Sequence, residues 1–333
     1  MKVEEGNFLY RLRWGLLRML HTLDYILLLP LLGWLPLSLG YALSAVRGRI
    51  NALTERDWRS MMMRSRHIAR QSASSFQTLI PAADGQQIRD LVRERFTTES
   101  REEFEGRLII SGRVTRLHCN IGPAPFVQQC QHRERGLVLL TPHFDSFILG
   151  VVFLGRAGIK INLMSSLGDD SSRFNPGVYR HFATKYRSME RYLNGGRVVP
   201  MEVGPRPFYQ MLARGECVVI VGDVPLAGDN TTGITPLFLG QRRLLSGGAM
   251  RMAQKTDSDL GAFVCHFDSH GQSGREYTLT GSTIKNASDP EALDHAYAFL
   301  SEQIMARPGR WWGVDLLTAM PSTDPTTTDA EHS

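Results

Sequence analysis

The sequence is poor in cysteine and lysine, and one long stretch of it carries no charge at all. Cys119, Cys130, Cys217 and Cys265 are the only cysteines in 333 residues, and they form neither a CxxC pair nor a zinc-finger spacing. That excludes a disulfide scaffold and leaves reduced, mostly buried thiols in a cytosol-facing protein. Only five of the 38 basic residues are lysine. Arginine matches phosphate bidentately, although a GC-rich genome gives the same bias. The chain has no long repeat and no RNP-like, helix-turn-helix or zinc signature, so no nucleic-acid partner is expected. At 42% hydrophobic it is not disordered. Its length suits about two domains, or one large domain with appendages.

The net charge of +5 is unevenly spread. Residues 1–70 hold 11 Lys/Arg against five Asp/Glu, a net +6, and residues 71–333 come to −1. Inside the basic end, Tyr25–Val46 is 22 residues without a charged side chain. As a straight helix it would be about 33 Å long, enough to cross a hydrocarbon core of about 30 Å. Pro30, Pro36, Gly33 and Gly40 argue for a broken, re-entrant or interfacial segment instead, and a buried core helix is a further reading. The run is too long, and starts too far from Met1, for a cleaved signal peptide. Basic residues flank both sides, more of them after Val46, which keeps the body cytoplasmic. Residues 1–70 thus read as a basic membrane-anchoring segment and 71–320 as an α/β domain. Residues 321–333, PSTDPTTTDAEHS, read as a disordered tail.

Residues 50–105 look helical and polar, with a break at Pro81–Gly85. From Gly106 short apolar runs alternate with amphipathic segments, the texture of an α/β fold. The expected strands are 107–111, 137–141, 160–164, 217–221, 262–266 and 276–280. The expected helices are 123–131, 147–156, 176–187, 207–213, 248–255 and 290–305, several opened by proline.

The most informative stretch is GLVLLTPHFDSFILGVVFLGR, residues 136–156. A continuous apolar run ends at Thr141 and His143 follows, with Asp145 or Ser146 placed to cap the next helix. His143 therefore sits at a strand's carboxyl end, the edge where open α/β sheets bind ligands. A His with an acidic neighbour is the minimum for activating a hydroxyl nucleophile. A second candidate is GECVVIVGDVP, where a strand ends at Asp223. A third is SRFNPG, where Arg173 precedes the Asn175–Pro176 helix start.

The ordered set LLTPHFDSF, RFNPG, LARGECVVIVGDVP, TPLFLGQRRLLSGGAMRMAQKTDSDLGAFV and ARPGRWWG resembles the bacterial lipid A late acyltransferases. These are the lauroyl/myristoyl transferase family of the lysophospholipid acyltransferase superfamily, and the resemblance covers about residues 10–315. It implies a glycerolipid-acyltransferase-like fold: a mixed, mostly parallel central sheet flanked by helices, with an N-terminal hydrophobic membrane-associated helical segment. It also implies acyl transfer from acyl carrier protein, or CoA, to a hydroxyl of a cell-envelope glycolipid. The acceptor would be lipid A-like or the lipid anchor of a surface polysaccharide, reached at the cytoplasmic face of the inner membrane. No metal or organic cofactor is expected.

By the same resemblance His143 is the general base, with Arg173, Asp223 and Ser146 supporting the substrates. Trp311 and Trp312 serve as packing, and Arg242–Arg243 is a candidate dock for the acidic carrier. The family's acid, four intervening residues after the His, falls on Ile148 here, and Val224 replaces the usual Gln or His after Asp223. Asp145 is therefore expected to supply the carboxylate. The alternatives are an inactive lipid- or partner-binding relative, or a metal-dependent hydrolase. The last is raised because HFDS occurs twice, at His143–Ser146 and His266–Ser269, with His270 following.

Overall fold

The computed structural model describes residues 8–63, 67–121, 125–165, 175–226, 232–269 and 276–324. The N-terminal helices are α1 (Phe8–Leu23), a π-helical turn (Asp24–Leu28), α2 (Leu29–Leu32), α3 (Leu37–Thr54), α4 (Trp58–Met63), α5 (Ile68–Leu79) and α6 (Gly85–Ile110). Then follow β1 (His118–Ile121), α7 (Pro125–Gln131), β2 (Leu137–Thr141), α8 (Phe147–Arg156), β3 (Ile161–Ser165) and α9 (Pro176–Met189). Next come β4 (Val198–Pro200), α10 (Arg206–Ala213) and β5 (Cys217–Val221). Four two-residue strands, β6 (Gly233–Ile234), β7 (Leu237–Phe238), β8 (Gln241–Arg242) and β9 (Leu245–Ser246), lead to α11 (Gly248–Lys255). The chain then runs through β10 (Asp259–Asp268), β11 (Glu276–Gly281), β12 (Lys285–Asn286) and α12 (Ala292–Ala306).

The central sheet has the order β1-β11-β10-β2-β5-β3-β4, with β12 also on β10. β10, β2, β5, β3 and β4 run parallel, while β11 and β1 run the other way. The parallel strands β2 (LVLLT) and β5 (CVVIV) are apolar but for Thr141 and buried on both faces but for the partly exposed Val221, as helices on either side require. The sheet is thus mixed and mostly parallel, as expected.

One expected strand is a helix. Residues 107–111 close α6, whose start is fixed by a capping box in which Asp84 accepts from the Gln86 and Gln87 amides and Gln87 returns a bond to Asp84 N. Phe104 and Leu108, four apart, face the core together, so LII satisfies a helical period as well as a strand run. The helix stops only at Gly112, in the left-handed region at φ 77°.

The charge-free run Tyr25–Val46 is not one helix. The chain breaks between Gly33 and Pro36, and the stretch long and apolar enough to cross a membrane is Trp14–Leu32. Helix α3 lies tightly on α6: a Cβ on Gly48 would stand 2.5 Å from Thr97 Cα, so only glycine permits this approach. The first residues of the expected tail, 321–324, are held in place. The Thr323 and Leu244 amides donate to Arg242 and Pro321 carbonyls, and residues 325–333 lie outside the described residues.

Candidate active site

The parallel pairing of β2 with β5 builds the site. Thr141 stands opposite Val221, and Gly222 N donates to Thr141 O at 2.8 Å, so His143 and Asp223 emerge side by side two residues further on. His143 Nδ1 meets Asp223 Oδ1 at 2.9 Å, and the His143 amide donates to Asp223 Oδ2, also at 2.9 Å. A carboxylate accepts only, so Nδ1 carries a proton, and in the neutral imidazole Nε2 is the nitrogen with the lone pair. The imidazole is partly exposed at 23%, while Asp223 is fully buried. Burial alone would raise the Asp223 carboxyl. The His143 charge, together with hydrogen bonds from His143 and Trp311, outweighs burial and holds it below its ordinary value.

The ARPGRWWG segment completes the arrangement. Trp311 Nε1 donates to Asp223 Oδ2 at 2.6 Å, and the Gly313 amide donates to His143 O at 3.3 Å. A Cβ on Gly313 would sit 2.9 Å from His143 Cβ and 3.0 Å from Asp223 Oδ2, so the two motifs meet only because position 313 is glycine. Trp312 and Phe147 pack beside the imidazole, with ring centroids 4.8 and 5.8 Å away and 5.8 Å from each other. Trp311 is therefore more than packing. Its polar edge fixes the carboxylate that fixes the histidine.

Asp145 is not the partner of His143. It adopts the left-handed conformation (φ 48°), and its buried carboxylate accepts from Arg101, from Arg310 Nη1 at 2.8 Å and from Phe267 N at 3.2 Å. His266 Nδ1 lies 3.8 Å away. Burial works against the charged form here too, yet Arg101, His266 and Arg310 hold the Asp145 carboxyl far below the ordinary range. The duplicated HFDS thus brings an Asp of the first copy near a His of the second. The carboxylate between two guanidiniums already has its countercharge, which suits a structural clamp better than a cation ligand. His270 lies outside the described residues.

Neither Asp145 nor Ser146 caps α8. Ser146 Oγ donates instead to Glu105 Oε1 at 2.9 Å. The Asp145 and Ser146 amides are taken by the Arg310 and Cys265 carbonyls, which leaves those of residues 147–149 as the open donors at the start of α8. Ile148 is buried in the apolar core, and its hydrocarbon side chain can make no hydrogen bond to His143. Arg173 lies outside the described residues, though Asn175 after it caps α9 by accepting from Gly177 N. Arg242 pairs with Asp294 at 2.9 Å and Arg243 is buried against the Met320 carbonyl, so the two do not form a free basic patch.

A histidine with one nitrogen held by a buried carboxylate and the other open beside aromatic walls can take a proton from a hydroxyl. The partner of His143 is thus Asp223 and not the nearer acid expected from the sequence. The shared position of His143 and Asp223, two residues past strands that end alike, was the signal that joins them.

No curated protein matches the chain. The model of the bacterial lipid A biosynthesis acyltransferases matches residues 94–313, a span that holds His143, Asp223, Trp311 and Gly313, and by that match over more than half its length the chain belongs to this family.

Proposed function

We propose that the protein transfers a fatty acyl chain from a thioester donor, acyl carrier protein or CoA, to a hydroxyl of a cell-envelope glycolipid. The observation that carries this reading is the His143–Asp223 pair. It supplies the oriented imidazole that the chemistry needs although the family's usual acid is replaced by Ile148. His143 Nε2 takes the hydroxyl proton as the oxygen attacks the thioester carbonyl. Asp223 stabilises the imidazolium that forms, and collapse of the tetrahedral adduct expels the thiolate, which takes the proton back. Amides at the amino end of α8 are candidates to hold the oxyanion. Only bonds to the donor and acceptor change, so no metal or covalent enzyme intermediate enters the scheme. The acceptor is lipid A-like or a polysaccharide lipid anchor, met at the cytoplasmic face of the inner membrane.

The test is acyl transfer from labelled acyl carrier protein to extracted envelope glycolipids, with mass spectrometry of those lipids in cells with and without the gene. One acyl group missing without the gene, and no transfer by His143→Ala, is the expected result. Transfer no higher than background for wild type and His143→Ala alike would establish an inactive relative, and full transfer by both would remove His143 as the base.

A further inference from the structure

Helix α3 is built inside out. Its buried face is Gly40, Tyr41, Ser44, Arg47, Gly48 and Asn51, and its exposed face is Leu39, Leu43, Val46, Ile50 and Leu53. The exposed residues recur at three and four, one stripe about 21 Å long on a helix rising 1.5 Å per residue. Trp34, 83% exposed, and Leu31, Leu27, Leu23 and Leu16 on the α1–α2 path add further exposed apolar side chains. An exposed apolar surface of this extent marks an interaction face.

Its charge names the occupant. Between Phe8 and Thr54 the one acid is Asp24, and it is buried against Arg47. Arg18 and Arg49 are exposed on these helices and make no ion pair among the described residues. A second copy packed here about a twofold axis would bring like charges together, whereas an anionic lipid surface complements them.

The inner contacts decide how deep the helices go. Thr22 and Tyr25, at the middle of the Trp14–Leu32 window, are tied to the body. Asn175 Nδ2 at the start of α9 donates to Thr22 Oγ1 at 2.6 Å, and Tyr25 OH donates to Glu103 of α6. Asp24 holds Arg47 through Nη2 at 2.5 Å, and Arg47 also binds Glu103 and Ser100. If residues 14–32 crossed a bilayer, these ties would pull α6 and α9, with Glu102, Glu103, Arg101 and Lys185, to the level of the hydrocarbon midplane. Charge is most costly there.

The same edge of the molecule carries the chemistry. Tyr41 stacks on Phe267 with ring centroids 5.1 Å apart, at the carboxyl end of β10, and Arg101 of α6 reaches Asp145. We infer that α1–α3 lie in the plane of one leaflet of an anionic bilayer, as a wedge that seats the His143 edge of the sheet on the lipid without crossing it. This rests on the membrane-acceptor reading above and adds the geometry.

The test uses the full chain with Cys119→Ser, the other three cysteines being buried. Spin labels are placed singly at Leu16→Cys, Leu23→Cys, Leu31→Cys, Leu43→Cys and Ile50→Cys. Depth is read from relaxation by oxygen and by a water-soluble nickel chelate, on phosphatidylethanolamine vesicles containing phosphatidylglycerol. The expected result is one shared depth about 5–10 Å into the leaflet for all five labels. Roughly fivefold weaker vesicle binding is also expected for each of Arg18→Gln and Arg49→Gln. A profile deepest at Leu23 and shallow at Leu16 and Leu31 would overturn the in-plane wedge and leave membrane binding intact. Five water-exposed labels and no co-sedimentation would overturn both, and so would labels buried in a vesicle-free dimer.

Discussion

Two buried carboxylates lie at the carboxyl edge of the sheet, and their surroundings give them opposite uses. Asp223 has a histidine, an indole and an amide as partners, and the histidine keeps one nitrogen open to solvent. Asp145 is held by two guanidiniums and an amide, with His266 Nδ1 further off at 3.8 Å, and its two closest charged partners are permanent cations. Strand register, not nearness in sequence, decides which acid serves the histidine. An acid two residues along a turn is sent elsewhere, while one 80 residues away on the paired strand arrives within 2.9 Å.

The sharpest way to break this comparison is to neutralise each acid in turn. Asp223→Asn keeps the shape but leaves the imidazole tautomer unfixed, and we expect acyl-transfer rates to fall on the order of a thousandfold or more with the thermal midpoint little changed. Asp145→Ala removes the carboxylate that Arg101 and Arg310 share and leaves them the longer contacts to Glu105 at 3.4 Å and Glu94 at 3.5 Å. We expect about 3 kcal/mol lost in denaturant unfolding, with activity per folded molecule far less affected than in Asp223→Asn. If Asp145→Ala abolished turnover at full stability, the roles of the two acids would be reversed.

The smaller effects sharpen it. Trp311→Phe removes one hydrogen bond to Asp223, and we expect roughly a tenfold loss of rate. Because that bond helps to hold the Asp223 carboxyl low, its loss raises the carboxyl's pKa, and the acid limb of the pH–rate profile moves to higher pH. Glu105 is the smallest case. Burial outweighs the neighbouring Arg101 and pushes its carboxyl up to about 8. The folded protein then holds a proton that the unfolded chain releases, so this group's contribution to stability falls as pH rises from about 4.5 to about 8. Glu105→Gln, which cannot titrate, is expected to flatten that decline in melting series, gaining on the wild type as pH rises from about 4.5 to about 8. Asp145 and Asp223 have the reverse sign. Their contribution is full above the ordinary carboxylate pKa of about 4 and is lost as pH falls through their depressed values.

The strands and helices around the site were legible because buried parallel strands read as uninterrupted apolar runs. Leu137–Thr141 and Cys217–Val221 appear in the structure with the expected bounds. Residues 107–111 were not legible, since Leu108, Ile109 and Ile110 fit either a strand or the last turn of a long capped helix, and only packing decides. The basic N-terminal end was legible as composition but not as use. Arg47 and Arg59 are spent internally on Asp24, Glu103, Asp57 and Asp315 rather than offered at a surface. The choice between Asp145 and Asp223 depended on a pairing between strands that no local window contains.

The ARPGRWWG segment also sets an order of assembly. His143 and Asp223 come together when β2 and β5 pair, but the indole that fixes Asp223 lies 88 residues beyond it, and the Arg310 that holds Asp145 lies 165 residues beyond its partner. Closing such long loops is slow and comes late in folding. During refolding the backbone signal of the sheet should therefore recover before turnover does, with the last phase of recovery marking the docking of Arg310–Gly313.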